Sequence, residues 1–112
     1  MKFMLFMSVD PSVTLSSEQK ADIPAAVGTW VAEMDERGVR LQGDVFAPAG
    51  ESKNVRVRDG GVLVGDGPLS ESSVPITGYN ILECADMDEA LAVASKHPVA
   101  TFGVLELRPF AG

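Results

Sequence analysis

Apolar and polar positions alternate along this chain in three different rhythms, and each rhythm predicts a different element. Phe3 to Met7 are five consecutive apolar residues, a run that reads as a strand needing cover on both faces. From Ile23 onward the apolar positions are Ile23, Val27, Trp30, Val31 and Met34, spaced i, i+4, i+7, i+8 and i+11. That is one side of a helix, with Glu33, Asp35, Glu36 and Arg37 on the wet side and Gly38 at its end. Ser8 to Ser17 reads as a loop, with Ser16 and Gln19 spaced as a capping box for a first helical turn. Pro24 would break a helix interior and fits a first turn if Asp22 is the N-cap, so the helix is expected over 23–38.

Val39 to Phe46 is strand-like, and Ala47 to Ser52 is a loop. Asn54 to Arg58 and Val62 to Gly65 then alternate with period two around Asp59-Gly60-Gly61, whose glycines are expected to supply the positive φ angles of a tight hairpin. Arg56 and Arg58 share its exposed face. Ile76 to Glu83 is another strand. Asp86 and Glu89 form a second capping box, and Met87, Ala90, Leu91 and Ala94 are the expected apolar face of a helix ended by Pro98. Thr101 to Arg108 is the last strand.

Two strand-helix-strand units separated by a hairpin predict an α+β sandwich of ferredoxin-like type, with two helices on one face of a mainly antiparallel sheet. Two helices cover only one face. The apolar run in the first strand, with Phe102, Val104, Leu105 and Leu107 in the last, predicts that a second copy covers the other, in a homodimer packed sheet to sheet.

Composition narrows the function. The 112 residues suit one domain, 1–112. Sixteen acids against nine bases give −7, a charge that repels nucleic acid and anionic membrane surfaces. No apolar run approaches the roughly 20 residues of a membrane span, and the short apolar start reads as a strand rather than a secretory leader. With one cysteine, Cys84, and one histidine, His97, neither an internal disulfide nor a zinc site of the Cys/His type is expected, and the location expected is cytoplasmic. No cofactor is expected: the glycines of DGGVLVGDGP lack the Gly-Lys-Ser/Thr of a phosphate loop. Nor is a metal, since nothing spaces the carboxylates as a recognised cation loop.

The residues KFMLFM, VRVRDGGVLVGDGPLSES, GYNILECADMDEALAVASKHP and GVLELRPF together resemble the YCII-related proteins, in the branch named for its DGPF motif. The resemblance implies a dimeric α+β barrel. It also implies a role among small enzymes acting on ring compounds or non-catalytic binding modules, and members of the branch often accompany alternative sigma factors. Asp66, Gly67, Pro68 and Glu71 match the motif, which usually runs Asp-Gly-Pro-Phe-Ala-Glu-Thr-Lys-Glu, whereas Leu69, Ser70, Ser72, Ser73 and Val74 depart from it. The histidine that some family members carry on the first helix is absent.

The candidate site therefore gathers around the motif. Asp66, at a strand end, reads either as a general base or anchor for a polar ligand, or as an acid that fixes the turn by bonding backbone amides. Gly67 allows an unusual backbone angle and Pro68 stiffens the path, so that Asp66 is displayed with Ser70 or Glu71. His97 is either a second catalytic group or a side chain placed favourably at a helix C-terminus. Trp30 and Tyr79 are candidates to line a ligand pocket, with the core as the plainer place for Trp30. Cys84 reads as a small buried hydrophobe, although the nearby helix N-terminus would lower its pKa. The expected function is binding of a small organic molecule in a cleft between helices and sheet. A cofactor-independent isomerase, lyase or monooxygenase-like enzyme using Asp66, and a structural partner protein without ligand, are the alternatives.

Overall fold

The computed structural model describes residues 1–70 and 74–112. Its elements are β1 (Lys2–Val9), α1 (Ser17–Glu36), β2 (Arg40–Val45), β3 (Lys53–Arg58), β4 (Gly61–Asp66), β5 (Ile76–Glu83), α2 (Met87–Ser95) and β6 (Gly103–Pro109). Short 3-10 turns at Ala49–Glu51 and Pro98–Thr101 complete them. Four strands form one antiparallel sheet in the order β2-β5-β1-β6, with both helices on one face. This is the α+β arrangement that the two strand-helix-strand units predict.

Side-chain alternation along β1 divides that sheet. Phe3, Leu5 and Met7 are buried on the helix side, where Phe3 and Leu5 pack with Trp30 and Met34 of α1, Leu82 of β5, and Ala90, Val93 and Ala94 of α2. Met4 and Phe6 alternate onto the other face and are half-buried. On that open face Met4 pairs with Ile81, and Phe6 pairs with Tyr79 on one side and Glu106 on the other.

Helix α1 begins six residues earlier than the apolar stripe predicts. The Ser16 hydroxyl accepts from the Gln19 amide at 3.1 Å and the Gln19 side chain accepts from the Ser16 amide at 2.8 Å, so the capping box fixes the start at Ser17. Pro24 therefore lies inside the helix, and Asp22 is not its N-cap. The missing proline N–H forfeits one helical hydrogen bond, and the capped turn before it keeps the helix going. In α2 the buried face is Ala90, Val93 and Ala94 rather than the stripe through Met87 and Leu91, which are exposed. Asp86 caps it by accepting from the Glu89 amide at 2.9 Å.

The hairpin forms where expected, with one exchange of roles. Asp59 (φ 51°) and Gly60 (φ 76°) take the two left-handed positions, and Gly61 instead opens β4 opposite Arg58. Asp is one of the few residues that tolerate this region. Strands β3 and β4 are a separate two-stranded sheet, not part of the four-stranded one. No other described element packs extensively on them. The Cα radius of gyration is 16.2 Å, where a compact chain of this length has about 13 Å, because the hairpin stands away from the body as an arm.

Candidate functional site

A cavity of about 520 Å³ lies between the middle of α1 and the helix-side face of the sheet. Its apolar walls come from Ile23, Val27 and Val31 of α1, from Leu15 before it, and from Val99 and Phe102 beyond α2. Met7 and Val45 belong to its floor. Its polar lining residues include Arg40, Thr77, Asn80 and His97.

Asn80 is 4 % exposed, and its position depends on a glycine. A Cβ on Gly43, its partner across β2 and β5, would stand 2.0 Å from Asn80 Oδ1, so only glycine lets the amide lie flat there. Asn80 Oδ1 accepts from Arg40 Nε at 2.8 Å. Arg40 Nη1 donates to the Asp35 carboxylate at 3.2 Å and Nη2 to the Gly43 carbonyl at 3.2 Å. A guanidinium carries five N–H groups, so a second Nη2–H remains for a ligand, while Asp35 balances the charge. Among the described residues Asn80 Nδ2 has only the Met7 sulfur, at 3.6 Å.

His97 is 2 % exposed and is the deepest titratable group of the site. Helix α2 stops at Ser95 and the chain turns inward, so His97 continues the Ala90, Val93, Ala94 face one turn further. Its ring meets Trp30 edge to face at 4.6 Å between centroids, and Trp30 Nε1 is anchored by donation to the Val93 carbonyl at 3.0 Å. His97 Nδ1 accepts from the Val99 amide at 3.1 Å and caps the 3-10 turn. A neutral imidazole whose Nδ1 accepts must carry its proton on Nε2, so His97 offers a donor at the cavity wall. Burial pushes its pKa below the ordinary value, and protonation would set an Nδ1–H against the Val99 N–H. A favourable charge at the α2 C-terminus, the plainer expectation for this residue, does not describe a buried neutral ring.

The other candidates lie apart from this cluster. Asp66 ends β4 with its carboxylate 81 % exposed, paired with Lys53 and accepting no backbone amide among the described residues. It does not line the cavity, so the structure does not bring Asp66 and His97 together. Gly67 has φ +99°, the unusual angle expected of it. Ser70 is exposed beyond the arm, and Glu71 lies outside the described residues. Trp30 is core, behind His97. Tyr79 borders the cavity through its strand, but alternation puts its ring on the open face, where it stacks on Phe46 at 5.6 Å and accepts from Gln42 Nε2 at 2.8 Å. Cys84 is buried, and burial foremost, with Glu89 beside it, raises its pKa rather than lowering it. Arg40, Asn80 and Thr77 are not among the sequence candidates. The Arg40–Asn80 pairing spans 40 residues, and only its β2–β5 register reveals it.

The family model of the YCII-related domain matches residues 1–111. The chain belongs to the YCII-related family. This YCII-related protein is 28 % identical over 104 residues to an uncharacterized protein, R00369, of Rhizobium meliloti (strain 1021), covering 78 % of this chain and 84 % of that one. Among solved structures it is similar to 5-chloro-2-hydroxyhydroquinone dehydrochlorinase from Burkholderia phenoliruptrix AC1100, in complex with 2,5-dihydroxybenzoquinone. The TM-score is 0.56, covering 98 % of this chain and 93 % of that one, at 12 % identity, a likeness of fold. No described helix of the YCII-related protein is long and apolar enough to cross a membrane.

Proposed function

We propose that this protein binds a small, ring-sized organic molecule with an apolar body and one or two acceptor oxygens, carbonyl or phenolic, in the cavity under α1. The observation that carries the reading is the Nε2–H of His97, a donor without a protein partner among the described residues, on a residue only 2 % exposed that lines a cavity otherwise walled mainly by aliphatic side chains. The spare hydrogens of Arg40 and Asn80 add donors nearby. A cavity of this size suits a small ligand, and a few convergent polar groups orient it. The quinone in complex with the dehydrochlorinase has this chemistry, a ring edged with oxygens.

Binding fits better than base catalysis by His97. With Nδ1 committed to Val99, Nε2 holds a proton and polarises a ligand oxygen rather than taking a proton from it. The homodimer is part of the same proposal, supported by the half-buried strip of Met4, Phe6 and Ile81 on the open face, rimmed by Gln42, Asp44, Glu106 and Arg108.

The test is calorimetric titration with 2,5-dihydroxybenzoquinone, hydroquinone and cyclohexanone. Wild type binds at least one of them, and Val27→Trp, which fills the cavity without touching its polar groups, abolishes the heat while the fold is kept. Binding that survives Val27→Trp would place the ligand elsewhere.

A further inference from the structure

The arm presents its two faces very differently. Cross-strand pairing sets Val55 opposite Val64 and Val57 opposite Val62, so one face is four valines, closed at its base by the Lys53–Asp66 ion pair. These valines are 58–68 % exposed, and none of the described body covers them. A two-stranded hairpin alone is marginal in water and gains stability when a further layer buries one face. We propose that the valine face of each arm seats on the open sheet face of a second copy of this chain.

Three features single out a second copy as the occupant. The same molecule carries both apolar surfaces, so a two-fold axis covers arm and sheet together, twice over. The charges also complement one another: the arm holds three bases against two acids, +1, in a chain of −7, which leaves −8 for the remainder. The receiving face is rimmed by Asp44 and by a Glu106 that Arg108 already pairs, while Arg56 and Arg58 alternate onto the arm's other face, so the attraction is one of net charge rather than of these individual groups. Finally the area is of the right order. An arm of two six-residue strands is roughly 20 Å by 10 Å, so two reciprocal contacts bury roughly 800 Å² counting both sides, and contact between the central strips brings the total towards the roughly 1,200 Å² of a stable interface.

The inference rests on the homodimer reading, and one experiment separates the two. Sedimentation equilibrium is run on wild type, on the arm variant Val55→Lys/Val64→Lys, on the sheet variant Ile81→Lys, and on an equimolar mixture of the two variants. Wild type is expected to be a dimer at micromolar concentration, and each variant is expected to dissociate with Kd raised roughly 100-fold or more. The core thermal transition of the arm variant should be that of the wild-type monomer, since the arm does not pack on the core. The mixture should recover part of the affinity, because an intact arm on one chain meets an intact sheet on the other. An arm variant that dimerises like wild type overturns the arm contact and leaves the homodimer standing. No recovery in the mixture overturns seating on the partner's sheet in favour of arm against arm, and a monomeric wild type overturns both readings.

Discussion

Two substitutions at His97 should separate its structural nitrogen from its functional one. In His97→Asn the amide oxygen stands where Nδ1 stood and still accepts from the Val99 amide, asparagine being a favoured N-cap, but nothing replaces Nε2–H. In His97→Gln the amide group reaches towards the Nε2 position and leaves the cap empty. Both lose the ring contact with Trp30, about 0.5–1.5 kcal/mol. Only the glutamine variant also leaves the Val99 N–H, on a residue 8 % exposed, without an acceptor, about 1–3 kcal/mol more. The gap of about 1–3 kcal/mol corresponds to at least about 4 °C in Tm for a domain of this size. Urea unfolding followed by far-ultraviolet circular dichroism measures it, with calorimetry on the same samples for ligand. The asparagine variant is expected to be the more stable and to bind nothing, the glutamine variant the less stable and to bind. Equal stability losses would refute the cap, and undiminished binding by the asparagine variant would refute the donor.

The remaining predictions concern pH and the base of the arm. Burial holds His97 below its ordinary value of 6.5, so as pH falls the unfolded chain takes up the proton first. The stability this neutral ring contributes is complete above about pH 6.5 and is lost as pH drops through the folded value; urea midpoints between pH 7 and 5 should show that slope in wild type and a flatter one in His97→Asn. Asp66→Asn breaks only an exposed ion pair and should change stability by less than about 1 kcal/mol with ligand binding intact, whereas loss of binding would move the site to the arm's base. Gly67→Val, at φ +99°, should cost about 1–2 kcal/mol in the arm, read as faster amide exchange over 53–66.

Local rules make most of the fold legible. The two-residue turn at Asp59-Gly60 and the capping box at Ser16 act within four residues, so they can be read directly from the sequence. Where two local signals compete, at Pro24, the expected helix starts too late because a lost hydrogen bond is weighed above a complete cap. The site is harder to read, since its members are far apart in the chain. Asp66 stands out by its motif, yet a strand end on a free-standing arm faces water. His97 falls at the next step of the Ala90, Val93, Ala94 face, yet just before Pro98 it reads as a helix terminus, and nothing in the apolar pattern marks the bond from the Val99 amide to its Nδ1. Val55, Val57, Val62 and Val64 look like any half-buried strand pair, and nothing in their alternation says that the sheet they join has only two strands.

Trp30, fastened to Val93 and set edge-on against His97, places the chain's one indole against its one imidazole. Indole emission responds to polarity and to a neighbouring imidazolium. The cavity therefore has its own fluorophore just behind its wall: a guest arriving at the Nε2–H, or a proton arriving at Nδ1, is one ring away from the only tryptophan, and its arrival can be followed optically without a label.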